Sequence, residues 1–471
     1  MDQRQDEEKD EFFDFPAAEP PSPLNGTSGK QADTAKIKRR VLAIVLALVM
    51  LAVGFVGGWL GYYYSLDEGF RTFLWAKKMT ERNYYQEIDR KKLYEDMIAA
   101  LESQLDPYSC FYTQKEYEKI IRESEGQNEG YGIAVTEETV GGTAYARLAV
   151  VVENSPAQEA KLQKGMYVLA YGNTQDEMQT GGVDALIDFI DNSNGMFYIK
   201  CGFDVSGEGA VVAKLVPREY LAAYCYYRDS EMSYAFRGTE KLELIETGNP
   251  IEGLPADTAY IRLDEFNGNA ADEFQECLKL MHQRGRSNLI LDLRSNGGGY
   301  LNILTEIAAH LMRNAEGSSP VVATANYKSG KKTAFTADKN DFSAYFSANS
   351  RVSILADEGT ASASECLIGA LIDYRTVGYG DIYLRKDEET GVARSYGKGI
   401  MQSSFSSVSG EVMKLTVATV HWPKSGKCIQ GVGVTEEDGA NAITAPRVWG
   451  AEDTFLLEAI GLIAQKSDPV T

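Results

Sequence analysis

An uncharged run of the sequence, from residue 41 to residue 66, limits what the chain can fold into. A helix over residues 41–64 would rise about 36 Å, enough to cross a hydrocarbon core of roughly 30 Å. The run ends in aromatic residues that suit a membrane–water interface, Trp59 and Tyr62 to Tyr64. A buried core helix is one alternative, but no equally long apolar run exists to surround it. A cleaved signal peptide is the other, although 40 mostly polar residues precede the run. We therefore predict one transmembrane helix at residues 41–64.

The charges on either side of this run predict its orientation. Four basic residues precede it and two acidic residues follow it: Lys36, Lys38, Arg39 and Arg40, then Asp67 and Glu68. Basic residues favour the cytoplasmic side, so we expect a single-pass protein of the cell membrane whose N-terminus is cytoplasmic. Residues 1–40 carry almost no apolar pattern and are predicted to be a disordered acidic tail. Everything from about residue 65 onward is expected outside the cytoplasm.

The overall charge excludes one class of partner. The chain has 471 residues, of which 47 are basic and 68 acidic, and its formal net charge is −21. Nucleic-acid binding needs clustered Lys and Arg to neutralise phosphates, so no nucleic-acid partner is expected. At about 150 residues per domain, the length predicts two or three folded units.

The cysteines and histidines show no metal-binding pattern. Six cysteines are scattered without a Cys-x-x-Cys pair, namely Cys110, Cys201, Cys225, Cys277, Cys366 and Cys428. Disulfides can form outside the cytoplasm, but the sequence does not define a pairing, and buried thiols are the commoner case. Only three histidines occur, at positions 282, 310 and 421. We therefore predict no metal site and no cofactor, and a hydrolase built from this chain would need a base other than histidine.

The region after the apolar run divides by its hydrophobic period. Helical spacing dominates residues 67–125, which predicts a small helical region. Residues 128–218 instead carry many short strand patterns and two helices, beginning with a glycine loop that runs into a strand, "EGYGIAV". Together with the later stretch "SPAQEAKLQKGMYVLAYGN", this order resembles a PDZ domain, although Lys161 stands where that family commonly has glycine. An ordinary turn before a strand is the alternative.

The PDZ resemblance implies a function for the glycine loop. Its backbone N–H groups would bind a chain-terminal carboxylate, while the adjoining strand edge would pair with an extended peptide. The residues concerned are Gly130, Tyr131, Gly132 and Ile133.

From residue 219 to residue 471 strand and helix patterns alternate, which predicts an α/β core. Strands are expected at residues 258–263, 288–293 and 352–356, and helices at 270–283, 300–313 and 362–374. The glycine loop after the second strand, "RSNGGGY", exposes backbone N–H groups where that strand ends. It could bind phosphate, although neither common phosphate-loop spacing is present, or it could donate a hydrogen bond to an oxyanion.

A candidate nucleophile follows the third of these strands. Ser362 lies in "DEGTASASE", where a glycine-containing turn leads into a helix. Free N–H groups and the positive end of the helix dipole favour negative charge there, and the N–H of Ala363 would point at an oxyanion. Helix capping is the simpler explanation, because Thr360, Ser362 and Ser364 are all common capping residues.

A candidate base lies in "YGKGIMQ". Lys398 stands between two glycines, and Gln402 lies four residues on, able to hydrogen bond to its amine. A lysine acts as a general base only when burial lowers its pKa from about 10.4. An ordinary exposed loop lysine is the alternative.

Four blocks in this order resemble the C-terminal processing peptidases, or tail-specific proteases: "AYIRLDEFNG", "LILDLRSNGGGYL", "GTASASECLIGAL" and "YGKGIMQ". The resemblance extends from "LDPYSCFYTQKEY" to "KSGKCIQGVGV" and implies an α/β peptidase core of crotonase or tail-specific protease type with an inserted PDZ domain. It implies that Ser362 is the nucleophile, Lys398 its general base and Gln402 the residue that orients the lysine. Ala363 and Gly298 would donate to the oxyanion, since the family often has proline, which lacks an N–H, where Gly297 stands. The charged segment 382–395 is longer than usual in the family.

The functional prediction is a membrane-anchored serine endopeptidase that cleaves proteins with flexible apolar C-termini. A homo-oligomer is compatible with it. A catalytically inactive PDZ and peptidase-like scaffold that binds C-termini is the alternative. A metal-dependent hydrolase, which a chelator would inhibit, fits the sparse histidines poorly.

Overall fold

The computed structural model describes residues 29–193, 195–315, 317, 319–387, 390–445 and 453–467, with side chains from residue 38 onward. The chain divides into two compact units, residues 1–96 and residues 97–471, and the boundary falls within α3. In chain order the described helices are α1 (Gly29–Ser65), α2 (Glu68–Asn83), α3 (Arg90–Glu102), α4 (Gln114–Ser124), α5 (Pro156–Glu159), α6 (Val183–Asn192), α7 (Ala270–Gln283), α8 (Leu301–Leu311), α9 (Phe342–Tyr345), α10 (Ala363–Asp373) and α11 (Thr454–Ser467).

The strands within the described residues form four sheets. In chain order the described strands are β1 (Cys110–Tyr112), β2 (Gln127–Gly130), β3 (Ile133–Val140), β4 (Thr143–Val151), β5 (Tyr167–Gly172), β6 (Phe197–Gly202), β7 (Val211–Leu215), β8 (Arg218–Leu221), β9 (Cys225–Arg228), β10 (Ser233–Arg237), β11 (Glu243–Glu246), β12 (Thr258–Leu263), β13 (Asn288–Asp292), β14 (Val321–Tyr327), β15 (Lys332–Thr336), β16 (Val352–Ala356), β17 (Ile382–Arg385), β18 (Ile400–Ser406), β19 (Val412–His421) and β20 (Asn441–Ile443).

Helix α1 contains the predicted membrane segment. Lys38–Ser65 is long and apolar enough to cross a membrane, and none of its most apolar stretch is buried within the structure. The helix begins at Gly29 rather than at residue 41, so residues 29–40 of the predicted tail are helical, whereas residues 1–28 lie outside the described residues. A turn at Asp67 then starts α2, because its side chain accepts a hydrogen bond from the N–H of Phe70 at 2.8 Å.

The largest sheet has eight strands in the order β11-β10-β9-β12-β13-β16-β17-β20. Neighbours from β12 to β20 are parallel, so their carboxyl ends meet at one edge. Alternate residues of β13 face opposite sides: Leu289 and Leu291 join a core with α7, α8 and α10, whereas Ile290 packs with Phe455 of α11. Burial of both faces explains why these strands read as continuous apolar runs in the sequence.

A second sheet of the same unit has the order β1-β19-β14-β15, and β18 pairs with the other side of β19. Strand β1 lies within the predicted helical region 67–125, and pairs with β19 although about 300 residues separate them in sequence. Three residues carry no periodic signal, so only this distant pairing defines the strand. The remaining helices of the region, α2 to α4, lie where helical spacing predicts them.

Residues 131–217, which we call the inserted module, have a core of their own. The sheet order is β3-β4-β5-β6-β7, and Leu148, Val168, Leu186 and Phe197 are among its buried residues. The ends of the module are joined where β2 pairs with β8, with Gly130 opposite Arg218. Strand β3 is an edge strand, and the described part of the module contains several short strands and two helices, as the sequence predicts.

The charged segment 382–395 is only partly a loop. Its first four residues form β17, which pairs with β16 on one side and β20 on the other and is largely buried. The described residues after it return to the core through isolated bridges from Lys386 to Ala393 and from Arg394 to Thr435. The first part of the segment is therefore a buried strand of the large sheet. All six cysteines are free in the structure, four of them buried.

Candidate active site

Ser362 lies in a strained turn at the carboxyl edge of the large sheet. Strand β16 delivers the chain, α10 begins at Ala363, and Ser362 between them has φ 57° and ψ −113°. Such a backbone costs about 1–3 kcal/mol in a residue other than glycine and persists only where the surroundings impose it. The side chain is half-buried and forms no helix-capping hydrogen bond. Capping therefore does not account for this serine.

The neighbouring hydroxyls do have structural partners. Thr360 Oγ1 donates to the carbonyl of Leu293 at 2.8 Å, and Ser364 Oγ donates to the carbonyl of Asn296 at 3.0 Å. Both side chains are fully buried. They fasten the turn after β16 to the glycine loop after β13. Ser362 Oγ, in contrast, has no hydrogen-bond partner within the described part of the chain.

Two predicted oxyanion donors lie beside Ser362. The N–H of Ala363 is the first of α10 and has no acceptor among the described residues, so it is available to a ligand. Gly298 has φ 104°, and a Cβ placed there would lie 2.8 Å from Ser362 Cβ, so only glycine fits this approach. The N–H of Gly298, however, donates to Asn296 Oδ1 at 2.9 Å. That donor is engaged in this state.

Buried Glu365, which the sequence analysis did not select, joins the serine turn to the lysine loop. Its Oε2 accepts from the N–H groups of Ser362 and Lys398, both at 2.9 Å. Its Oε1 accepts from Gly397 N–H at 2.7 Å and from Ser395 Oγ at 2.6 Å. Burial raises the pKa of Glu365, whereas these hydrogen bonds favour its charged form. The spacing Ser-x-x-Glu at 362–365 was the available signal.

Lys398 is brought next to Ser362 by its backbone, but its amine is not hydrogen bonded to the serine. The glycine on either side allows close packing, since a Cβ at Gly399 would lie 2.7 Å from the backbone nitrogen of Gln430. The lysine side chain is half-buried, and burial together with Lys414 lowers its pKa. Its Nζ lies 4.5 Å from the centre of the Tyr108 ring.

Gln402 does not contact the Lys398 amine in this structure. Its Nε2 donates to Thr416 Oγ1 at 3.0 Å, across the β18–β19 pair. Thr416 Oγ1 in turn donates to Asp106 Oδ1 at 3.0 Å. Among the described residues, the predicted Ser362, Lys398 and Gln402 thus share one region, but their side chains are not joined by hydrogen bonds.

Two carboxylates support the glycine loop after β13. Asp292, fully buried, accepts from Tyr260 Oη at 2.6 Å and from the guanidinium of Arg294. Asp357, after β16, accepts from the N–H of Ser295 at 2.7 Å. Neither aspartate was selected from the sequence. Their signal was the position of each at the end of a buried strand, where an unpaired carboxylate would be costly.

The glycine loop of the inserted module has free backbone donors. The carbonyls of Tyr131 and Gly132 accept from Ala157 N–H at 3.0 Å and Val152 N–H at 2.9 Å. The N–H groups of the same two residues have no acceptor within the described ranges, and Ile133 begins the edge strand β3. Gly130 ends β2. Lys161, which stands where PDZ domains commonly have glycine, has φ 63°, a conformation that glycine adopts more readily.

Comparison with known proteins finds a peptidase family over part of the chain. Residues 257–438 match the model of Peptidase family S41. This segment contains the strained serine, the glycine loop and the lysine loop, so the part of the chain that carries them is similar to that peptidase family.

Its relatives include processing proteases. The carboxyl-terminal-processing protease of Synechocystis sp. is 26% identical over 364 residues, which cover 76% of this chain and 74% of that protein. The carboxy-terminal processing protease CtpB of Bacillus subtilis is 24% identical over 345 residues, covering 73% of this chain but only 62% of that protein. The solved photosystem II D1 C-terminal processing protease is 21% identical, with a TM-score of 0.45 over 82% of this chain and 89% of that chain.

We predict that Glu365→Gln impairs both folding and proteolysis. An amide in place of the carboxylate would direct its NH₂ group at two hydrogen-bond donors, and each buried donor left unpaired costs about 1–3 kcal/mol. Cleavage of an unfolded protein should fall at least about tenfold, and the thermal unfolding midpoint should drop by several degrees. Glu306→Gln, an exposed position on α8, is the control. Unchanged cleavage and stability in Glu365→Gln would contradict the bridging role.

Proposed function

We propose that the chain is a membrane-anchored serine endopeptidase that cleaves proteins near their C-termini, with Ser362 as nucleophile and Lys398 as general base. The observation that carries the proposal is the shared acceptor: the N–H groups of Ser362 and Lys398 both donate to Glu365 Oε2 at 2.9 Å. Two loops separated by more than 30 residues therefore meet at one atom. The residues that carry the proposed nucleophilic hydroxyl and the proposed basic amine, Ser362 and Lys398, are therefore neighbours in space.

The reaction would begin when neutral Lys398 accepts the proton of Ser362 as Oγ attacks the scissile carbonyl. Burial and Lys414 lower the pKa of Lys398, which increases the neutral fraction. The N–H of Ala363 would bind the developing oxyanion. Protonated Lys398 would then give its proton to the leaving amine as the C–N bond breaks. The neutral lysine would next take a proton from the water that attacks the acyl-enzyme, and would return that proton to Ser362 Oγ as the acyl bond breaks.

Two side chains would rearrange before this reaction. The Lys398 amine would leave the Tyr108 ring for Ser362, and Gln402 would exchange Thr416 for the lysine amine. Gly298 would serve as the second oxyanion donor by sharing its N–H between Asn296 Oδ1 and the oxyanion. Catalytic hydrogen bonds are often loose in a free enzyme and tighten when substrate binds.

Residues 128–218, which include the inserted module, are proposed to act as a PDZ domain that binds the substrate's C-terminal carboxylate. The free N–H groups of Tyr131 and Gly132 would bind the carboxylate, and the unpaired edge of β3 would add the tail as a strand. Partly buried apolar residues of β3 and α6, including Ile133, Val135 and Ile190, favour an apolar tail.

The membrane anchor is proposed to be residues 41–64 within α1, with the N-terminus cytoplasmic and the peptidase core, residues 219–471, outside. Its support is the length and apolar character of Lys38–Ser65 and the basic residues before it. In sealed vesicles of known orientation, added protease should digest the core only from the extracytoplasmic side. The chain should also resist extraction at alkaline pH, and release by that treatment would contradict the anchor.

A tail-binding scaffold without activity is the second candidate, and one observation favours it. Ser362, Lys398 and Gln402 are not joined by side-chain hydrogen bonds in the described structure. A scaffold would bind C-terminal peptides and cleave none.

We predict that Ser362→Ala and Lys398→Ala each reduce cleavage of an unfolded protein with an apolar C-terminus by at least about 10³-fold. Lys398→Arg should not restore activity, because arginine stays protonated. The measurement is product formation by mass spectrometry with the purified, detergent-solubilised chain, and Lys332→Ala, at an exposed position, is the control. Full activity of Ser362→Ala would refute the nucleophile. Tail binding without cleavage by the unaltered chain would favour the scaffold.

Tail recognition predicts a preference that needs no mutation. A substrate peptide with a free C-terminal carboxylate should bind about 10- to 100-fold more tightly than the same peptide with a C-terminal amide, since charge-assisted hydrogen bonds contribute about 1.5–3 kcal/mol. Fluorescence anisotropy with the Ser362→Ala chain measures this without cleavage. Equal affinities would show that the loop does not bind the carboxylate.

A further inference from the structure

Tyr108 contacts the proposed base directly. Its ring centre lies 4.5 Å from Lys398 Nζ, and its hydroxyl is 2.8 Å from that of Tyr396, two residues before the lysine. The hydrogen bond with Tyr396 and burial raise the pKa of Tyr108 to about 12, so the ring stays neutral. The Tyr396 N–H in turn donates to the carbonyl of Thr360 at 2.9 Å. Tyr108 is therefore fixed against the lysine loop and the serine turn.

The turn that carries Tyr108 is also linked by hydrogen bonds to Gln402, the predicted partner of Lys398. Asp106 accepts from the N–H of Tyr108 and from Ser109 Oγ, both at 2.9 Å. The turn is joined to β19 because Thr416 N–H donates to Ser109 Oγ at 2.9 Å and Thr416 Oγ1 donates to Asp106 Oδ1. Thr416 Oγ1 also accepts from Gln402. The turn at residues 106–109 therefore contacts Lys398 through Tyr108, and Gln402 through Thr416.

We propose that Tyr108 is a positioning residue that holds the protonated Lys398 amine in the resting enzyme and releases it when the proton is lost. An aromatic face attracts an ammonium ion but not a neutral amine. Deprotonation would therefore both create the base and free it to reach Ser362. The inference rests on the proposed role of Lys398, and it adds the residue that controls the position and charge of this base.

The charges around Lys398 define the direction of the effect. Lys414 on β19 opposes the protonated form, as does burial, whereas Asp106 in the turn and Glu365 on α10 favour it. The Tyr108 ring also favours it, and contacts of this kind change an equilibrium by about 2- to 30-fold. Removing the ring should therefore lower the pKa of Lys398 by about 0.4–1.5 units, provided that the replacement is equally apolar.

The test compares Tyr108→Leu, which lacks the ring, with Tyr108→Phe, which keeps it but loses the bond to Tyr396. Amine acetylation of the full, detergent-solubilised chain is followed against pH by mass spectrometry, which gives the pKa of Lys398 independently of activity. We expect Tyr108→Leu to lower this pKa by the stated amount and Tyr108→Phe to leave it within about 0.3 units of the parent. An unchanged pKa in Tyr108→Leu would overturn the proposal.

Two further readouts separate the possible failures. Lys424, whose Nζ lies 4.0 Å from the Tyr374 ring centre, serves as a folding control in the same digest. The extent of its acetylation should be the same in the variants and the parent chain. If it changes, Tyr108→Met, which also lacks a ring, replaces the leucine variant under the same criterion. The acid limb of kcat/KM against pH should move with the Lys398 pKa. If acetylation shows a lower pKa for Lys398 but the acid limb of kcat/KM does not move, the contact with Tyr108 is supported and Lys398 is refuted as the base.

Discussion

The arrangement of the loops at the candidate active site depends on one buried carboxylate. Glu365 has no exposed surface, and its two oxygens accept four hydrogen bonds, from the N–H groups of Ser362, Gly397 and Lys398 and from Ser395 Oγ. A buried carboxylate is costly unless such donors satisfy it, and a strained serine persists only where its surroundings impose it. The N–H of Ser362 helps to satisfy the buried carboxylate, and the carboxylate in turn holds the serine backbone in its strained conformation. Through Glu365, helix α10 therefore also fixes the position of residues 395–398 at the start of the lysine loop.

The parallel strands explain why distant segments meet there. The strands from β12 to β17 end at one edge of the large sheet, and the loops that follow β13, β16 and β17 contribute the glycine loop, Ser362 and Lys398. Open α/β sheets commonly place their sites at this edge. The turn at residues 106–109 reaches the same region through the second sheet, since β1 directly follows it and pairs with β19. Two sheets therefore supply one site.

Local patterns were enough to predict three of the parallel strands, β12, β13 and β16, because burial of both faces leaves continuous apolar runs. The parallel strands β17, in the charged segment 382–395, and β20 were not predicted. The serine turn and the glycine-flanked lysine were predicted from local chemistry and family resemblance. Contacts between distant residues were not: β1 is three residues long, and Tyr108 lies 290 positions before Lys398. Glu365 was missed because a helical glutamate is usually exposed. The bond of Gln402 to Thr416 depends on cross-strand register, which sequence spacing does not reveal.

The pairing of β2 with β8 has a consequence for how this chain is built. Because Gly130 and Arg218 face each other, the inserted module leaves and re-enters the core at adjacent points. The inserted module is therefore equivalent to one closed loop between two adjacent points of the core. The entropic cost of closing a loop grows only with the logarithm of its length. A module with its own hydrophobic core can thus be gained, exchanged or enlarged at this junction with little change in the connections of the eight-stranded sheet. The four residue pairs of the β2–β8 ladder are thus what allows this part of the chain to behave as a separate module.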